Sequence, residues 1–306
     1  MPKKKKLLYH SDFSLLKTGF GRVSRLILTH LYETGKYDIT HLCCGLSDKN
    51  PSFYKVPWDC VGAIGNTPKE RMEIEKDPKL AQMASYGATT IDHLVKRVKP
   101  DVYLGAQDIW GLDFMINKKW FRDDNSILWT TLDSLPILPQ AVKAAERVKN
   151  FWVWSEFAME ALHKLGHEHV ETVRGPLDES CFYKLTNEKR LENRSRFKIP
   201  EDIFIIGFVF RNQLRKSVPN LLEGFKKFLD RNGEAREKGA KLLLHTNFHE
   251  GWHIHKLAKE HGINVSDILT TYVCARCYAY GIHPFVGGDQ KCPFCNTEKS
   301  YNTVSI

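Results

Sequence analysis

The chain has 306 residues, enough for about two domains of ~150 residues each. Hydrophobic residues make up 42% and charged residues 26%, a globular balance that excludes disordered, collagen-like and low-complexity chains. The formal net charge is +9, four of those charges lie in Lys3, Lys4, Lys5 and Lys6, and neither half carries a charged block large enough to imply nucleic acid by itself.

No run of about 18 apolar residues exists, so no transmembrane helix is expected. The apolar run after the basic N-terminus is only Leu7-Leu8-Tyr9, too short for a signal-peptide core. Lys6 to His10 reads as a strand, and Gly21 to Tyr32 carries Val23, Leu26, Ile27 and Leu31 at helical spacing. Tyr37 to Cys44 alternates as a strand. Ile91 to Val98 is amphipathic, and Asp101 to Gly105, entered through Pro100, is a buried strand. Ile127 to Leu132 is a strand, Ala141 to Val148 a helix and Phe151 to Trp154 a strand again. Ser155 is a good N-cap for Ala158 to Leu165, Gly166 stops that helix, and His169 to Val173 closes the set.

Strand, helix, strand repeated in this way predicts a mostly parallel sheet with helices on both faces. Ligands then bind outside the carboxyl ends of the strands, in loops beginning at Ser11, Ala106, Leu132, Ser155 and Arg174. Residues 179–199 read as a linker. A second alternation follows over 200–273: strand Ile203 to Phe210, helix Val218 to Leu229, strand Lys241 to Leu244, helix Trp252 to His261, strand Ile268 to Val273. It is interrupted over 274–296 and resumes over 297–306. The fold class expected is α/β, with two Rossmann-like doubly wound parallel-sheet domains, the second incomplete.

The interruption holds the sharpest chemical signal. Of eight cysteines, Cys43, Cys44, Cys60 and Cys181 are scattered, while Cys274-Ala-Arg-Cys277 and Cys292-Pro-Phe-Cys295 form two knuckles at ribbon-like spacing. Four thiolates make a closed tetrahedral zinc site, which is structural because no coordination position is left open. Gly287-Gly288-Asp289 supplies the turn between the knuckles. With no secretory signal, metal binding is favoured over disulfides, and the compartment expected is the reducing cytoplasm. The ribbon contains few basic residues, Arg276 and Lys291, which favours a packing or partner-contact role over nucleic acid.

Two loops read as anion sites. Thr18-Gly19-Phe20-Gly21-Arg22 follows the first strand and opens a helix, whose N–H groups attract anions; a plain strand-to-helix turn is the alternative. Arg211 and Lys216, at the carboxyl end of the second unit's first strand, suit a diphosphate; a solvated basic loop is the alternative. His249-Glu250-Gly251-Trp252-His253 matches a zinc-protease pattern, but Gly251 inside it and its place between a strand and a helix start argue for a helix-entry loop.

In order and separation, the motifs resemble the retaining nucleotide-sugar glycosyltransferases of GT-B fold, within the large group 1 family. Ser11-Asp12 with Thr18 to Arg22 resembles the family's first loop, which faces the acceptor and the donor phosphate. Pro100-Asp101-Val102, Trp154-Ser155-Glu156-Phe157 with Leu165-Gly166, and Gly175-Pro176-Leu177-Asp178 with Phe182 resemble further family segments. Phe208 to Lys216, then Leu221, Leu222 and Phe225, resembles the start of the donor domain, where an Arg and a Lys five places on hold the nucleotide diphosphate. Inserted zinc ribbons are similar to those of viral and metagenomic members.

The resemblance implies an acceptor domain over 1–178 and a donor domain from 200. It implies a nucleotide-diphosphate sugar as donor substrate, bound by Gly19, Phe20, Gly21, Arg211 and Lys216. Asp12 and Asp133 are the candidate catalytic carboxylates, Asp133 standing where many members carry a histidine. The acceptor (a glycan, a protein or a modified DNA base) would lie near Asp12, Gln107-Asp108 and Asp133. The family's donor domain continues with a glutamate pair beyond the point corresponding to Ile306, so a C-terminally truncated chain is expected. The alternative reading is a non-catalytic binding or scaffold module whose ribbon contacts nucleic acid or a protein partner.

Overall fold

The structure is a computed structural model describing residues 3–304 except 66, 68, 69, 71, 73, 75 and 238. The chain divides into two compact units, Met1–Tyr183 and Lys184–Ile306.

In the first unit, β1 (Lys5–Asp12), β2 (Tyr37–Ser47), β3 (Asp59–Ile64), β4 (Val102–Ala106), β5 (Ser126–Thr130), β6 (Asn150–Val153) and β7 (Glu171–Thr172) form one sheet. The seven strands lie in the order β3-β2-β1-β4-β5-β6-β7, every neighbouring pair parallel. Side chains alternate across such a sheet, so each strand feeds two cores. Leu8, Leu42, Tyr103, Leu128 and Phe151 share one core with Ile91, Ala141 and Leu162 of the covering helices. Leu7, Tyr9, Ile39, Leu104 and Trp129 share the other with Val23 and Leu28. Both faces are buried, as a parallel sheet requires.

The helices are α1 (Gly19–Glu33), α2 (Pro78–Ser85), α3 (Ile91–Val98), α4 (Ile109–Leu112), α5 (Pro139–Arg147) and α6 (Glu156–His163). The expected caps are present. Ser155 Oγ accepts the N–H of Ala158 at 3.2 Å, and Gly166 turns left-handed (φ 91°) after α6. β3 and α2 have no counterpart in the sequence reading: β3 has only a short apolar run and lies at the sheet edge.

In the second unit, α7 (Asn187–Arg196) occupies part of 179–199, the segment read as a linker. It buries no residue, so it carries no apolar stripe to read. β8 (Ile205–Val209), β9 (Lys241–His245) and β10 (Ile268–Cys274) are parallel. β11 (Tyr280–Pro284) and β12 (Tyr301–Thr303) pair antiparallel with β10, so this sheet is mixed. β10 runs straight into the first knuckle, and Cys274 N–H bonds Ala279 O at 2.9 Å, which returns the chain onto the same sheet. α8 (Val218–Arg231), α9 (Gly233–Glu237) and α10 (Ile254–Glu260) complete the unit. Leu222, Phe225, Leu242, Leu244, Ile254 and Ala258 are buried in its core.

Two histidines lie within the first sheet. His10 Nδ1 is 2.9 Å from Tyr103 Oη, and the His41 ring meets Tyr9 edge-on at 5.2 Å. Burial lowers the pKa of His10 to about 4 and that of His41 to about 3. The unfolded chain takes up these protons below about pH 6.5 while the native state refuses them, so acid favours unfolding. The stabilisation is complete above pH 6.5 and is lost as pH falls towards the folded pKa values. Denaturant titration at pH 7 and pH 5 is expected to show a loss of roughly 4 kcal/mol at the lower pH, about 1.4 kcal/mol per histidine per pH unit.

Candidate functional site

In the first sheet the chain runs outward from β1 to β2 on one side and β4 on the other, so the order reverses between β1 and β4. Loops diverge at such a switch point and leave a crevice at the carboxyl ends. Asp12 ends β1, and Gln107 follows β4. Gln107 Nε2 donates to Asp12 Oδ1 at 2.7 Å across the switch, and Thr18 Oγ1 donates to Asp12 Oδ2 at 2.6 Å. Ser11 Oγ, fully buried, donates to Ala106 O at 2.6 Å and ties the two strand ends together. Gln107 Oε1 accepts the N–H of Asp108, whose carboxylate accepts the Thr131 hydroxyl. Asp12 is therefore partly buried and held by two donors. Asp133 is exposed and makes no hydrogen bond or ion pair among the described residues. With Asp108, Thr131 and Ser134 it lines a small groove of about 60 Å³.

The glycine loop is more specialised than its sequence suggests. Thr18 caps α1, its Oγ1 accepting the N–H of Gly21 at 3.0 Å, so that N–H is not free for an anion. The N–H groups of Gly19 and Phe20 keep no partner among the described residues and remain available. The two glycines differ. A Cβ on Gly21 would lie 2.5 Å from Leu16 O, whereas a Cβ on Gly19 would meet nothing within 4 Å. Gly21 is there for close packing of the helix start on its own loop. Phe20 sets its ring edge-on against Trp154 at 5.5 Å.

In the second unit, Arg211 and Lys216 lie on one loop between β8 and α8. Arg211 is exposed, and its Nε reaches Glu250 Oε2 at 3.3 Å. Lys216 closes the 3-10 turn Leu214–Lys216, and its ammonium has no partner among the described residues. Between them Asn212, 1% exposed, pins the loop to the one after β9. Its Nδ2 donates to Glu250 O and to Trp252 O (2.9 Å), and its Oδ1 accepts the N–H of Trp252 at 3.1 Å. Gly251 (φ +58°) passes so close that a Cβ would sit 2.1 Å from Asn212 O. That left-handed glycine, with α10 starting only at Ile254, keeps His249 and His253 off a common helix face, in agreement with the helix-entry reading. The sequence reading assigned Asn212 no role of its own and met Glu250 only within the discounted zinc-protease pattern. Asn212 was readable only as a turn former, and Glu250 is 39 positions from the arginine it meets.

The four ribbon cysteines converge. Their Sγ atoms all lie within 4.8 Å of one another, with Cys274–Cys295 at 3.7 Å and Cys277–Cys292 at 3.8 Å. A tetrahedral ion with metal–sulfur bonds of about 2.3 Å spaces its sulfurs about 3.8 Å apart, so the donor set fits. Backbone N–H groups of Arg276, Cys277 and Phe294 each point at a ligand sulfur at 3.4 Å. The N–H of Cys277, with the Ser300 hydroxyl, lowers the Cys274 thiol to about 6, towards the thiolate that a metal requires. A second group, His41, Cys43 and Cys60, is equally close, but there the Cys43 thiol donates to His41 O at 3.5 Å and burial pushes its pKa far up. Cys43 is held as a protonated core thiol.

No family model and no curated protein matches the chain. Solved structures do. A glycosyltransferase from Rickettsia africae is similar with a TM-score of 0.56 and 15% identity, over 88% of this chain and 68% of that one. The chain has the GT-B fold. TarM follows the GT-B path at a TM-score of 0.51 and 8% identity, over 88% of this chain and 76% of that one. The N-terminal domain of Candida albicans trehalose-6-phosphate phosphatase aligns at a TM-score of 0.52 and 12% identity, over 88% of this chain and 72% of that one. At these identities the likeness is one of GT-B architecture; chemistry has to be argued from the site.

Asn212 supplies a direct test of the site's framework. Asn212→Ala removes three hydrogen bonds, leaving the Trp252 N–H and the Glu250 carbonyl without these partners, while the Trp252 carbonyl keeps the Ile254 N–H at 2.9 Å. A loss of about 2–4 kcal/mol in the second unit's unfolding free energy is expected in denaturant melts. An unchanged midpoint would contradict the pinning role.

Proposed function

We propose that the chain is a glycosyltransferase that takes its sugar from a nucleotide-diphosphate sugar. The carrying observation is the β8–α8 loop: two cations five places apart at the carboxyl end of a parallel strand, the ammonium without a partner among the described residues and the guanidinium paired with an exchangeable carboxylate. Breaking the anomeric bond sends its electron pair to the diphosphate, so cations at the phosphates stabilise the charge that develops. Arg211 offers a planar fork to two phosphate oxygens and Lys216 a point charge. Glu250 must release Arg211 as the phosphate arrives, which exchanges one anion for a more highly charged one.

The first unit serves the acceptor. Its hydroxyl approaches the groove of Asp108 and Asp133, with Asp133 the carboxylate free to take a proton and Asp12 a positioning group. Gly19 and Phe20 offer N–H groups to an anionic substrate. Residues 1–178 form the acceptor domain, 200–273 begin the donor domain, and 274–296 are a ribbon in which Cys274, Cys277, Cys292 and Cys295 hold one structural zinc ion. Bound zinc would fix the hairpin and take no part in transfer. Free thiols at Cys43, Cys44, Cys60 and Cys181 suit a reducing compartment such as the cytoplasm. Among the described residues no helix is long and apolar enough to cross a membrane.

Two measurements test this reading. In calorimetric titration with UDP, GDP and ADP, one nucleotide is expected to bind, and Arg211→Ala and Lys216→Ala each to weaken it about 10- to 100-fold; equal affinities would refute the assignment. Elemental analysis of the purified chain is expected to give one zinc per chain, lost in Cys292→Ser, with a lower melting temperature in chelator. Turnover of a nucleotide sugar would remove the non-catalytic alternative.

A further inference from the structure

The ribbon's outer face carries features that the transfer reading leaves unused. A groove of about 760 Å³ runs between the end of α7 and the ribbon, lined by Arg196, Lys198, Tyr278, Tyr280, Phe294 and Tyr301 among others. Three of its aromatic side chains stand open to solvent: Tyr278 is 78% exposed, Phe294 59% and Tyr280 43%. Tyr278 directly follows Cys277 and Phe294 directly precedes Cys295, so the metal-clamping turns hold both rings outward. Tyr278 also sits at φ 59°, in the left-handed region where a side chain is costly and glycine or asparagine is the usual occupant. An aromatic ring kept at such a position and left uncovered contributes nothing to the turn that holds it.

The charges around the rings are of one sign. The Arg196 guanidinium lies over the Phe197 ring at 5.4 Å and the Tyr280 ring at 5.0 Å, and makes no hydrogen bond or ion pair among the described residues. The Lys198 ammonium is likewise exposed and without a partner among the described residues. Among the described residues no aspartate or glutamate lines the groove. Glu192 interacts electrostatically with Arg196 but bonds Lys189 at 2.8 Å, Glu298 holds Lys291 at 3.1 Å and Asp289 accepts from Asn302 at 3.0 Å. Counting only the ribbon's own basic residues hid this, because Arg196 and Lys198 come from the end of α7, about 80 positions earlier in the chain.

We propose that this groove binds single-stranded nucleic acid, its bases stacked on Tyr278 and Phe294 and its phosphates on Lys198 and on Arg196, which rests over Tyr280. Open rings accept any unstacked base, and cations beside them track the backbone. A neutral glycan would need acceptors for its hydroxyls, and an apolar peptide would leave both cations unused. A duplex hides its base faces and cannot use the rings. The site is independent of the donor loop, so it stands or falls without the transfer reading.

The test is fluorescence anisotropy of the intact chain with labelled 12-nucleotide oligo-dT and oligo-U, and with a blunt duplex of the same length, at about 50 mM salt. Binding of either single strand at least ~10-fold tighter than the duplex is expected, with DNA or RNA identified by whichever strand binds better. Tyr278→Ala and Phe294→Ala are each expected to weaken it about 5- to 100-fold, and Arg196→Gln to shallow the salt dependence. Unchanged circular dichroism and metal content in these surface variants exclude misfolding as the cause. Absence of single-strand binding, equal binding to the duplex, or wild-type affinity in both ring variants would overturn the proposal; so would a neutral oligosaccharide competing the strand off.

Discussion

A parallel sheet buried on both faces leaves little room for chemistry except at the ends of its strands. In the first unit that constraint gathers Asp12, Gln107, Asp108 and Thr131 on neighbouring strand ends, where the order reverses between β1 and β4. The bond from Gln107 to Asp12 spans the reversal and holds the crevice walls together. In the second unit, whose sheet is mixed and whose edge strand β8 is only partly covered, Arg211 and Lys216 also lie beyond the carboxyl end of a strand. In the first unit the polar residues that matter are few, and they follow strands whose own side chains are buried.

The two loops are stiffened by different means. Around α1 the helix cap does it: Thr18 bonds Gly21 N–H with its oxygen while giving its proton to Asp12, so one hydroxyl joins the helix start to the crevice. Around Arg211 a buried amide does it, because Asn212 satisfies three backbone groups of the neighbouring loop. That arrangement brings Glu250 to Arg211. The guanidinium is thereby held ready without being buried, and an exposed pair of this kind is weak enough for a phosphate to displace.

Much of the fold was legible because hydrophobic period reports burial. The Leu7–Tyr9 run, the 3.6-residue stripe of α1 and the Ser155 cap each appear where the sequence placed them, within a few residues. The exceptions have physical causes. α7 buries nothing and so shows no stripe, and β3 is a short edge strand. β11 lies between the two cysteine knuckles, where turns leave only a short strand to read. The knuckle spacing announced four converging sulfurs, and the structure brings them together. Long-range polar pairs were invisible: nothing local marks Glu250 as the partner of Arg211, or Arg196 as the neighbour of Tyr280. At Gly21 the missing Cβ serves the helix's own packing and the N–H is bonded to Thr18, features that the glycine pattern alone does not show.

The most direct test of the diphosphate assignment is a crystal structure of the protein with UDP bound. Phosphate oxygens within about 3 Å of the Arg211 guanidinium and the Lys216 ammonium, with Glu250 swung away, are the expected result. A nucleotide seated elsewhere while the Arg211–Glu250 pair stays intact would contradict it.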